Sequence, residues 1–104
     1  MAVHPDVAAL AFLVGTWEGD GRGIYPTIED FAYHEVVEIE APPKPFLAYR
    51  QRTRRAGTGE PLHMEAGYFR SVGEGSVELV IAQPTGIVEC HSGTVDGGYI
   101  HLTA

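Results

Sequence analysis

The chain has one cysteine, one tryptophan, seven basic residues and no hydrophobic run long enough to cross a bilayer, in 104 residues. Each scarcity excludes something. Cys90 alone cannot close an internal disulfide or anchor a multi-cysteine metal cluster, so a reducing cytoplasm is the expected setting. Seven Lys and Arg against fourteen Asp and Glu leave a net charge of −7. Nucleic acid as main partner is therefore not expected, because neutralising phosphates requires a basic face. No membrane association is expected either, and the opening MAVHPDVAALAFLVG lacks the basic stretch that begins a secretory signal. Beyond the opening residues no segment shows helical periodicity, which argues against the crossovers of a parallel sheet. The chain reads as a single domain spanning residues 1–104.

What is present is punctuated β-structure. Pro5 and Asp6 suit a helix start, and Val7, Leu10, Ala11 and Val14 fall on one helical face before Gly15. The period then becomes two. Strands are expected over Phe31–Glu40, Phe46–Thr53, Leu62–Val72, Val77–Gln83, Ile87–Val95 and Tyr99–Thr103. Between them stand APPKP, GTGEP, GEG, PTG and DGG, all turn chemistry. The fold class expected is all-β: an antiparallel up-and-down β-barrel of lipocalin or fatty-acid-binding type with a short N-terminal helix.

The stretch GTWEGDGRGIYPTIEDF is rich in glycine, yet it follows a helix and enters β-structure, the reverse of a phosphate-binding turn. Gly15, Gly19, Gly21 and Gly23 share strand parity with Trp17. That places the glycines on an inward face that can bend tightly, with Trp17 expected to plug the barrel floor and open space left for a ligand. Arg50, Arg52, Arg54 and Arg55 read as a solvated outer surface, and Tyr25, Phe31, Phe46 and Phe69 as aromatics available to line a cavity. Gln83 shares parity with Val77, Leu79 and Ile81, which aims an amide inward as a polar anchor. His34, His91 and His101 are expected on the outer face and His4 in solvent. No catalytic triad or carboxylate pair presents itself.

Gly15-Thr16-Trp17-Glu18-Gly19-Asp20-Gly21 resembles the G-x-W-x-G-x-G signature of the nitrobindin family. Tyr25-Pro26-Thr27-Ile28, KPFLAYRQRT, EPLHMEAGYFR and VELVIAQPTGIVE are similar to that family in order and spacing. The resemblance implies a cytoplasmic barrel that holds heme b, binds nitric oxide and isomerises peroxynitrite to nitrate. It implies heme contacts for Thr27 and His63, beside which Gln83, aimed inward by parity, is the third cofactor-binding candidate, with Gly15, Trp17, Gly19 and Gly21 as the structural motif. It also places the axial histidine and the closing strands beyond Ala104, so no residue here is assigned to the iron, the domain is expected to be incomplete at its C-terminus, and the family activity is in question for this chain. Unpaired strand margins then suggest a homodimer. The alternative is a heme-free carrier of a small apolar ligand such as a fatty acid. For His63, alternation pairs it with Glu65 opposite Leu62, Met64, Ala66 and Tyr68, whereas the resemblance points it at the pocket.

Overall fold

The computed structural model describes residues 3–24 and 30–104. After an opening 3₁₀ helix, Pro5–Leu13, come seven strands: β1 Gly15–Gly23, β2 Phe31–Glu40, β3 Leu47–Arg55, β4 Pro61–Gly73, β5 Ser76–Ala82, β6 Val88–Asp96 and β7 Tyr99–Thr103. Each pairs antiparallel with the next, in the order β1-β2-β3-β4-β5-β6-β7. The expected meander is there, as an open half-barrel with β1 and β7 at its margins.

The helix departs from the α-helical expectation. His4 caps it, its Nδ1 accepting from the Asp6 amide at 3.1 Å, so this side chain has a structural partner. Val7 has non-helical angles (φ −118°, ψ 19°). With three residues per turn the inward side chains recur every third position. Val7 and Leu10 are therefore buried and Leu13 half-buried, while Ala11 and Val14, assigned to the same face on an α-helical repeat, are exposed.

Val7 and Leu10 pack with Ile39, Leu47, Phe69, Val77, Leu79 and Ile81, a single apolar core on the concave side of the sheet. Burying side chains of this size stabilises the fold by about 1.5–3 kcal/mol each. Pairings such as Ile39↔Tyr49, Leu47↔Phe69 and Phe69↔Leu79 carry one parity across the sheet. Gly15, Trp17, Gly19, Gly21 and Gly23 share that concave face through Trp17↔Val37 and its neighbours.

Trp17 faces inward as expected but does not plug the floor. It is 50% exposed, and its indole Nε1 donates to Leu13 O at 2.8 Å, tying the end of the helix to the first strand. The space over the glycines is also partly taken. A Cβ at Gly21 or Gly23 would run into the rings of Tyr33 and Phe31, whereas Gly19 has nothing near it. Gly67 and Gly93 serve curvature, since a Cβ there would strike the backbone carbonyls of Val80 and His101.

Among the described residues no helix is long and apolar enough to cross a membrane. On the convex face, Arg50 and Arg52 both reach Glu38, at 3.5 and 2.8 Å, and Arg52 foremost holds that carboxyl below its usual range. Arg54 is exposed beside them, but Arg55 has the other parity and turns to the concave side over the Phe31 ring.

Gly67→Ala is expected to destabilise the fold by about 1–3 kcal/mol, because a backbone carbonyl cannot be repacked. Gly19→Ala should change it by less than about 0.5 kcal/mol. Urea unfolding midpoints of the two variants measure the contrast.

Candidate functional site

Above the apolar floor the same strands turn polar. Reading inward-facing positions across β2 to β6 gives Glu35, Gln51, Glu65, Gln83 and Glu89, alternating carboxylate and amide. Gln51 Nε2 donates to Glu35 Oε2 at 2.8 Å, and Gln83 Nε2 donates to Glu89. Glu65 is served by two donors: Tyr49 OH to Oε2 at 2.9 Å and His63 Nε2 at 3.0 Å from Oε1. His91 Nε2 lies 3.4 Å from Glu89 Oε2.

Burial makes this belt consequential. Tyr49 is pushed up beyond the ordinary tyrosine range, by desolvation first and then by the carboxylates of Glu65 and Glu35.

Beyond the belt lies a groove of about 660 Å³ whose walls include Phe31, Tyr33, Gln51, Thr53, Leu62 and His63. Phe31 and Tyr33 stand 6.2 Å apart between centroids, tilted by 49°. Thr53, opposite His63 in register, is 8% exposed.

His63 lies on the concave side, opposite Thr53. It does share a face with Glu65, and that face is the concave one. Met64 and Tyr68 are the outward residues, 59% and 53% exposed. Gln83 lies just past the end of β5, is bound to Glu89 and lines a different cavity from the His63 groove, one shared with the outward residues Arg50, Met64 and Ala82. The β4–β5 ladder stops at Ala66↔Ala82, and the turn closed by Gln83 N to Ile87 O carries Gln83 toward β6. Thr27 and Tyr25 lie outside the described residues.

Other expectations change. His91 stands opposite Leu79 on the concave face, not the outer one. Phe46 packs edge-on against outward-facing Tyr68, with centroids 5.2 Å apart, and so lines no inner cavity. Phe69 belongs to the floor and Phe31 to the groove wall. His34 and His101 are outward, His34 pairing with Asp20 at 3.0 Å. Tyr49, Glu65, Glu35 and Gln51 were not anticipated. Their signal was the arginine alternation itself: if Arg50 and Arg52 face out, Tyr49 and Gln51 face in.

Residues 6–104 match the family model described as the THAP4-like, heme-binding beta-barrel domain. The chain belongs to this family, the nitrobindins. It is 56% identical over 96 residues to Peroxynitrite isomerase 1 of Rhodococcus jostii (strain RHA1), covering 92% of this chain and 54% of that protein. It is 53% identical over 95 residues to Peroxynitrite isomerase of Nocardia farcinica (strain IFM 10152), covering 91% and 56%. The crystal structure of Rv2717c from M. tuberculosis superposes with a TM-score of 0.85 at 48% identity, over 97% of this chain and 64% of that one. The chain thus spans between half and two thirds of the length of these nitrobindin relatives.

Because Tyr49 has a raised folded-state pKa, its contribution is complete below the unfolded tyrosine pKa and is lost as pH rises above it. Urea unfolding between about pH 9 and 11 should show stability falling in the parent chain. Tyr49→Phe should show a smaller fall, along with a loss of about 1 kcal/mol at neutral pH.

Proposed function

We propose that the chain forms one wall of a heme b pocket, and that the whole protein binds nitric oxide and isomerises peroxynitrite to nitrate. The observation that carries this reading is the concave groove of about 660 Å³, walled by Phe31, Tyr33 and Leu62 with His63 at its polar end, in a chain of the heme-binding barrel family. Relatives named peroxynitrite isomerase support the reaction.

The groove's chemistry fits a flat apolar ring system. Its one imidazole is held by Glu65 through Nε2, which suits a wall residue rather than an axial donor. Cys90 is exposed on the convex face, its thiol 3.6 Å from Glu78, and offers no thiolate to the groove. When bound, heme would supply a ferric Lewis acid for nitric oxide and peroxynitrite. The chain's own residues contribute confinement and orientation. Phe31, Tyr33 and Leu62 keep water from the ring faces, and His63 and Thr53 line the same groove. Thr27, following the family pattern, adds a hydroxyl contact, and Gln83 borders the pocket from the neighbouring cavity. Gly15, Trp17, Gly19 and Gly21 belong to the strand whose Gly23 lines the groove.

A cytosolic setting, resting on the lone Cys90, and a homodimer complete the proposal. Sedimentation velocity should show a dimer; a monomer at all concentrations removes that element.

Haemin titration should give a saturable Soret band at one equivalent that moves on adding nitric oxide. Phe31→Ala should weaken haemin binding about ten-fold or more, by removing a wall ring. Tight binding of a fluorescent fatty acid with no haemin uptake would replace this reading with the carrier.

A further inference from the structure

Two acceptors on the groove wall have no partner among the described residues. The first is Gln51 Oε1, buried and unsatisfied. Turning the amide over cannot relieve it, because Nε2 donates to Glu35 Oε2 and a carboxylate has no hydrogen to return. A buried carbonyl left this way calls for a donor from a ligand or water.

The second, open to solvent, is Nδ1 of His63, whose side chain is 40% exposed. Glu65, its side chain only 15% exposed, takes the Tyr49 hydroxyl on one oxygen and faces His63 Nε2 with the other. Since the carboxylate can only accept, the ring proton must sit on Nε2, and Nδ1 of the neutral ring is a bare lone pair. Gln51 stands opposite Glu65 and Thr53 opposite His63 in the β3–β4 ladder, and Gln51 and His63 both line the groove.

We propose that this part of the groove is a subsite for a neutral hydrogen-bond donor carried on a flat apolar body, and that Glu65 is the positioning residue that fixes the proton of the neutral His63 ring on Nε2. The ligand class is a phenol, alcohol or amide rather than a carboxylate. An anion would face two lone pairs together with the carboxylates of Glu35 and Glu65. The cations on the wall, Arg22 and Arg55, are engaged by Asp30 at 3.8 Å and by Glu60 at 3.6 Å, with the Phe31 ring 5.0 Å from Arg55. The subsite goes beyond the heme reading and does not depend on it.

The test compares three probes of similar shape, phenol, anisole and benzoate, on the chain as purified, with heme content read by absorbance on the same sample. Phenol should bind about five-fold more tightly than anisole, the worth of one ordinary net hydrogen bond, and benzoate more weakly than either. Long-range proton–nitrogen spectra at about pH 8.5, where an ordinary imidazole is neutral, should show His63 protonated on Nε2. Glu65→Gln should populate the other tautomer, and Gln51→Leu should bring the phenol-to-anisole ratio close to one. An Nδ1–H tautomer in the parent chain, or anisole or benzoate binding as tightly as phenol, overturns the proposal without recourse to any variant. Phenol selectivity without haemin uptake would retain the subsite and remove the heme reading; haemin uptake without phenol selectivity would do the reverse.

Discussion

A single antiparallel register running from β1 to β7 is the constraint on which everything else rests. Side chains alternate faces with a period of two, so one shared parity decides which residues meet inside the half-barrel. Slipping one strand by a residue would bring Arg50 and Arg52 to the floor and send Tyr49 and Gln51 to solvent. The opening helix guards against this. Val7 and Leu10 need an apolar surface, and only the parity that presents Ile39, Leu47, Phe69 and Ile81 provides one.

The concave face is accordingly divided along its length. Its helix end is dry and closely packed, with Leu47 fully buried. Its other end is a belt of carboxylates and amides, bonded largely to one another, that opens into the groove. A polar belt beside a core is costly unless its groups are paired, and here pairing is nearly complete. Tyr49 links the two halves. Its ring packs edge-on to Phe69 at 5.8 Å in the floor, while its hydroxyl reaches Glu65 in the belt.

Much of the fold could be read from residues alone. Phe31–Glu40 and Tyr99–Thr103 carry alternation between unmistakable turns, and both strands have the expected limits. The helix was harder, because Val7, Leu10 and Leu13 suit a three-residue repeat while Ala11 and Val14 suggest a wider one. At the site, parity correctly grouped His63 with Glu65 but could not say which side of β4 faced inward. Leu62, Met64 and Tyr68 looked like the buried set by hydrophobicity, yet Met64 and Tyr68 are exposed. Hydrophobic patterning misleads on a strand whose inner face lines a polar groove.

The sequence by itself determined where the strands fall to within a residue or two, the turns, the side-chain parity within each strand and the family, since these depend on neighbours along the chain and on motifs such as GTWEGDG. Only the tertiary structure decided which parity is concave, that Glu65 draws together Tyr49 and His63, that Gln83 is taken up by Glu89, and that Gln51 keeps a bare carbonyl. Each of those depends on the stagger between strands and on where a ladder ends, and both are settled by packing between segments distant in the chain.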